Sequence, residues 1–214
     1  MKVLGIFKKV CGWFGFGSGC DRNDDLKKDV LWQFLDEDGN EIPLGVFERD
    51  EMSGTWTCRK DGKKIAGGSY VNGKLEGLQQ IWYENGELFV EGNASQGKMD
   101  GEFTYWHENG RIQSKGEVRN NKKEGWWGKW SKNGQVRSNG SYENGERHGS
   151  WGFWYDNGEW WGEGNFVNGK EHGEWSYWYE NGQERCKGNY ENGVKVGDWE
   201  YWKEDGTEGS VDVT

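Results

Sequence analysis

The chain holds 214 residues, among them 37 Gly, 16 Trp and a single Pro, and carries a formal net charge of -10. That charge speaks against a general affinity for nucleic acid or anionic lipid, both of which present phosphate. Acidic, Gly-rich chains are often disordered, but 16% aromatic residues at fixed intervals exclude that class here.

Residues 1 to 20, MKVLGIFKKVCGWFGFGSGC, contain Lys2, Lys8 and Lys9 but no acid, and they place Val3, Phe7, Val10 and Phe14 at helical spacing. Three readings stay open. A secretory or lipoprotein signal would have the basic start and Cys20, yet Lys8 and Lys9 interrupt its apolar stretch and Gly17-Ser18-Gly19 is a poor cleavage box. An organelle-targeting presequence would suit the lack of acids. An amphipathic N-terminal helix would cap a neighbouring sheet or lie on a membrane surface. No stretch approaches the roughly 20 apolar residues of a spanning helix. Residues 21 to 29, DRNDDLKKD, read as a solvated linker, so residues 1–29 form an N-terminal amphipathic segment and linker.

From Val30 onward the chain is periodic. The clearest unit is Gly173 to Val196, GEWSYWYENGQERCKGNYENGVKV. With Gly173 as slot 0, aromatics stand at slots 2, 4, 5 and 17, Gly at slot 15, and Asn-Gly at slots 8–9 and 19–20. Units of 24 residues begin at Val30, Gly77, Gly101, Gly125, Gly149 and Gly173, a 23-residue unit at Gly54, and a truncated one at Gly197. A period of this size signals a repeat architecture in which each unit touches mainly its neighbours. Slot 9 is Gly in all eight units, and Asn or Asp precedes it every time. Such dipeptides favour type I′ reversals, whose central residues need positive φ. Each unit is therefore expected to supply two strands and two tight two-residue turns.

Counting outward from those turns sets slot 2 against slot 15, slot 4 against slot 13 and slot 0 against slot 17, all on one face. On that face each bulky ring meets something small, as Trp151 meets Gly164 and Tyr177 meets Cys186. A ring lying over a strand glycine recovers the buried surface that glycine lacks. The opposite face is polar except for a row at slot 5: Trp82, Trp106, Trp130, Trp154, Trp178 and Trp202. Two-residue turns would set slot 12 across from it, where Arg137 and Arg185 would lie over Trp rings as cation–π partners worth roughly 0.5 to 1 kcal/mol each. These features predict an all-β chain: an elongated single-layer antiparallel β-meander of about eight 24-residue repeats over residues 30–209, a short N-terminal helix before it, and a frayed tail at 210–214.

Paired YENG turns, the G-x-W-x-Y-W run and the period resemble the MORN-variant repeat, most clearly in GEFTYWHENG, GSWGFWYDNG and GEWSYWYENG. The resemblance covers roughly residues 30 to 209 and is weakest over 30 to 76, where Val30 replaces Gly and Arg49-Asp50 replace Asn-Gly. It implies an elongated sheet of MORN-like repeats and roles that include protein scaffolding, membrane-lipid contact and, for bacterial members, action as antitoxins.

Chemistry-bearing clusters point away from catalysis. Cys11, Cys20, Cys58 and Cys186 show no C-x-x-C spacing, and Cys58 and Cys186 fall in slots for small packed residues. His107, His148 and His172 read as solvent-facing turn residues, the last two about 10 Å apart on successive units and too far for one metal ion. Carboxylates such as Glu171 and Glu174 sit beside turns with no predicted pocket to raise a pKa. Lys and Arg form no patch along the repeats. The expectation is a chain with no enzymatic activity, metal or cofactor: a cytoplasmic protein-protein interaction scaffold that binds a protein partner, and no nucleic acid, through Trp82, Trp106, Trp130, Trp154, Trp178, Trp202, Arg137 and Arg185. Two alternatives stand beside it. One is an antitoxin or immunity protein that neutralises a toxin, implied by the resemblance. The other is a glycan- or membrane-surface-binding module, since Trp faces stack on sugars and residues 1–20 suit peripheral membrane contact.

Overall fold

The computed structural model describes residues 53–60 and 63–209. The N-terminal helix, Cys11, Cys20, the side chain of Cys58, the first repeat and the tail at 210–214 lie outside the described residues. Thirteen strands follow one another among the described residues: β1 (Gly54–Lys60), β2 (Lys63–Val71), β3 (Lys74–Trp82), β4 (Leu88–Ser95), β5 (Lys98–Trp106), β6 (Ile112–Arg119) and β7 (Lys122–Trp130), then β8 (Val136–Glu143), β9 (Glu146–Trp154), β10 (Trp160–Val167), β11 (Lys170–Trp178), β12 (Glu184–Glu191) and β13 (Val194–Tyr201). They form one open antiparallel sheet in sequence order, the predicted meander.

The expected register holds across most of each hairpin. Trp151 pairs with Gly164 and Phe153 with Gly162, while Gly149 faces Phe166. Tyr177 likewise faces Cys186, which is buried. Phe103, Trp127, Trp151 and Trp175 each stand between two glycines, one on either side, and each leans onto the one in the preceding unit. A Cβ built on Gly140 would come within 2.3 Å of the Trp151 ring, and one on Gly164 within 2.2 Å of Trp175. Close approach is thus the reason for glycine at slot 15.

The two turns of a unit are of different kinds. At slots 19–20 the two-residue type I′ reversal is present, with Asn144 at φ 53° and Gly145 at φ 90°. At slots 8–9 the expectation of a second one is corrected. There Gly158 N donates to Tyr155 O at 3.1 Å and Tyr155 N to Glu159 O at 2.9 Å, which defines a three-residue loop closed by Gly158 at φ 93°. This is a type I turn with a glycine bulge. Its Asn serves through its side chain, since Asn157 Oδ1 accepts from Glu159 N at 2.9 Å. The extra loop residue moves slot 5 opposite slot 11, as in Trp130 with Val136, and sends slot 12 to the ring-bearing face.

A second bulge recurs at slot 0. β6 pairs Gly116 with Trp127 and then Glu117 with Glu124, so Gly125, at φ 60°, and Trp126 have no partner there. The slot-2 indole crosses back to the carbonyl beside this break: Trp127 Nε1 donates to Glu117 O at 2.8 Å and Trp151 Nε1 to Ser141 O at 2.9 Å. Gln79, in the same slot, uses Nε2 on Ser69 O at 3.2 Å. Among the described residues the slot-2 indole N–H is thereby satisfied in each repeat that has one. Rings of slots 2 and 17 then alternate edge to face along the sheet, with Tyr142 to Trp151 at 5.2 Å, Phe166 to Trp175 at 5.1 Å and Tyr190 to Trp199 at 5.1 Å. Trp151, Phe166 and Trp175 are 2–4% exposed, so this row is the core.

Successive units are also stitched at the type I turns. Asn85, Asn109, Asn157 and Asn181 each donate Nδ2 to a backbone carbonyl of the next unit at 2.8–3.0 Å. Tyr83, Tyr155 and Tyr179 send their hydroxyls to the carbonyls of Trp106, Trp178 and Trp202. His107 does the same with a ring nitrogen 2.9 Å from Trp130 O, and it is buried rather than solvent-facing, which corrects the sequence expectation. Ser131 and Asn133 turn inward instead, and an Arg137–Asp156 ion pair joins those units. Asp205, in the last unit, keeps only the acceptor half of the motif, taking bonds from the N–H and hydroxyl of Thr207.

Two outcomes are expected from chemical denaturation. Gly140→Ala should lower unfolding free energy by about 1–3 kcal/mol, because the new methyl has to displace Trp151. Asn157→Asp, which keeps the Oδ1 acceptor and removes the Nδ2 donor, should cost about 1 kcal/mol.

Candidate functional site

Strand alternation puts slots 1, 3, 5, 11, 14 and 16 on the face opposite the core. Slot 3 is small at its centre, Gly128 and Gly152, and Trp rings close over both. A Cβ on Gly128 would meet Trp126 and Trp130, each at 2.4 Å, and one on Gly152 would meet Trp154 at 2.6 Å and Trp160 at 3.0 Å. The rings continue along the sheet: Trp126 to Trp130 at 6.1 Å, Trp154 to Trp160 at 4.4 Å, and Trp160 to Trp178 at 6.1 Å. Leu88, Ile112 and Val136 fill the slot-11 places facing Trp82, Trp106 and Trp130. An apolar stripe therefore crosses this face from β3 to β11, flanked by the ion pairs Lys115–Glu102 at 2.9 Å and Lys187–Glu174 at 3.2 Å.

All six predicted Trp are half-buried in or beside that stripe. Lys64 Nζ lies 4.1 Å over the Trp82 ring, and Trp202 bridges to Glu208 past the end of β13. The two predicted arginines are elsewhere. Arg185 sits 5.6 Å over Tyr177 on the core face, and Arg137 pairs with Asp156 at the turn. Both follow from the three-residue loop, which takes slot 12 off the Trp row. The most accessible rings were not predicted: Trp126 is 52% exposed and Trp160 39%. Adjacency could have revealed Trp160, since neighbouring strand residues point to opposite faces and one of Trp160 and Trp161 had to face outward. Trp161 does pack on the core side, 5.4 Å from Phe153.

The ionisable groups near the stripe are held in simple pairs. His148 Nδ1 lies 3.3 Å from Glu143 Oε2, and both are largely exposed. Among the described residues no cluster of three or more His, Cys, Asp or Glu has metal-binding geometry.

The family model for the MORN repeat variant matches residues 75–94, 99–120 and 171–192, each of which falls on the strand pairs and turns described above. Three stretches of the chain are MORN-variant repeats. Comparison with curated proteins finds no match. Among solved structures it is similar to TarM, at 13% identity over 45% of this chain and 19% of that one, with a TM-score of 0.29. A TarM mutant from S. aureus in complex with fondaparinux, alpha-GlcNAc-glycerol and UDP matches at 14% identity, over 45% and 19% of the two chains, with a TM-score of 0.30. A structure of accessory secretory protein 1, 2 and 3 in Streptococcus pneumoniae matches at 16% identity over 70% and 22%, with a TM-score of 0.18. The chain thus spans about a fifth of each of these proteins, and likeness at such TM-scores carries no argument about function.

Within the stripe, half-buried and largely exposed rings should respond differently. Trp154→Ala uncovers Gly152 and removes the Trp160 stack, so thermal unfolding should show a loss of about 2 kcal/mol, whereas Trp126→Ser should cost about 1 kcal/mol or less.

Proposed function

We propose that this MORN-variant chain is a non-catalytic scaffold that holds a protein partner against its tryptophan stripe. The reading is supported above all by one observation: Trp126 and Trp160 stand more than a third exposed at the middle of a continuous apolar stripe, on a face whose other strand positions are mostly polar. Exposed aromatic side chains held rigidly by their neighbours lose little conformational freedom on contact, which is the property of binding hot spots. Trp130 and Trp154 lie beside them as supports, over the same glycines, Gly128 and Gly152. Surface ion pairs at the margin make a polar rim around an apolar centre, the arrangement typical of interfaces between proteins.

A photo-crosslinking residue placed at Trp126 should capture one partner from the native source, identified by mass spectrometry. Trp126→Ser combined with Trp160→Ser should abolish that partner's co-purification with the melting temperature little changed. Equal recovery with the folded double variant, or crosslinks only to unrelated proteins, would overturn the reading.

A further inference from the structure

Along the sequence the cations look scattered, but the fold sorts them. Positions on the core face of β7 to β13 carry Lys123, Lys129, Arg137, Arg147, Arg185 and Lys195 against a single acid, Glu171, in a chain whose net charge is -10. Three of them converge on β7–β9. Lys123 Nζ lies 4.1 Å over Trp127 and 4.9 Å over Tyr142. The guanidinium of Arg147, the residue paired with Tyr142, lies 4.7 Å over Trp151 and 5.3 Å over Phe153. Lys129 faces Ser138, whose other neighbour is Phe153, so it closes the same patch from the far side. Among the described residues none of the three has a carboxylate partner.

Packing alone does not ask for these charges. The slot of Lys123 and Arg147 is filled by Met99 one unit earlier, over the corresponding part of the sheet. Burial pushes the Lys123 ammonium below the ordinary lysine value, and the charges of Lys129 and Arg147 push it further. With the folded value depressed, the unfolded chain binds that proton more readily. Stability is therefore reduced where the amine is charged in both states, and it rises with pH between the folded and the ordinary value. An anion placed among the three groups would relieve this repulsion.

We infer that the core-side face of β7–β9 is a docking site for an extended acidic peptide segment, whose carboxylates meet Lys123, Lys129 and Arg147. Strands β7 and β9 lie two steps apart, about 10 Å. That separation exceeds the reach of one small anion and suits carboxylates two or three residues apart on an extended chain, which advances about 3.3 Å per residue. Rings beneath and between the cations, Tyr142 and Phe153, offer apolar contact to the intervening side chains. This site is on the opposite face from the tryptophan stripe and stands independently of it.

The test uses the full chain and a fluorescein-labelled peptide of alternating Glu and Ser, with its Gln-for-Glu counterpart, in fluorescence polarisation. The acidic peptide should bind, lose affinity as salt is raised, and outcompete inorganic phosphate and a short DNA duplex. Lys123→Met with Arg147→Met should weaken it by about tenfold or more at an unchanged or raised melting temperature. Lys129→Gln, at an exposed position, provides a second variant that leaves the ring packing alone and should weaken binding in the same direction. Equal binding of the Gln peptide, undiminished binding by the folded variants, or preference for phosphate or DNA would each overturn the proposal. Trp126→Ser should leave the acidic peptide's affinity unchanged, which separates this site from the stripe.

Discussion

A tryptophan or phenylalanine ring lying flat on a neighbouring strand's glycine is the contact on which the rest of this sheet depends. Among the described residues no second sheet or helix covers the apolar face, and the rings bury one another and the backbone beneath them. Glycine makes that possible by giving up its side chain at the point of contact. The indole N–H of the same ring then reaches a carbonyl next to the slot-0 bulge, as Trp151 does at Ser141, so one side chain supplies both apolar coverage and polar satisfaction. Where Phe103 takes the slot, the coverage of Gly92 remains, and where Gln79 takes it the hydrogen bond remains.

Cohesion between repeats has a second, separate source at the type I turns. Asparagine amides and tyrosine hydroxyls step from one unit to the next with the period of the sequence, so most described hairpins are fastened to their successors away from the ring row. Nearest-neighbour fastening of this kind lets stability grow by addition of units. Departures have local reasons. The Arg137–Asp156 ion pair stands where Ser131 is too short to reach the next unit, and Asp205 keeps the acceptor half of the motif on Thr207.

The two faces of the sheet have different chemistry for the same reason that they have different packing. On one, rings touch glycine and one another and are buried, with cations resting over their faces. On the other, tryptophans cover small slot-3 residues from above and keep one side toward solvent. A repeat unit can therefore vary its outward slots without disturbing the inward ones, which is how Trp126 and Trp160 enter at slots that hold Glu102 and Glu184 in other units.

By itself the sequence determined the period, the strand count per unit, the side on which slots 0, 2, 4, 13, 15 and 17 lie, and the pairing of ring with glycine. Those properties rest on alternation, which has a fixed period of 2 and survives any ambiguity in loop geometry within the hairpin arm. Only the tertiary structure decided the turn at slots 8–9, because Asn-Gly suits both a type I′ reversal and a type I turn with a glycine bulge, and the choice depends on backbone hydrogen bonds formed by the residues around it. One added loop residue moved Arg137 and Arg185 off the Trp row, and with it the gathering of cations on the core face became visible. Which of two flanking glycines a ring covers was likewise settled by the slot-0 bulge and the carbonyl that it turns toward the indole.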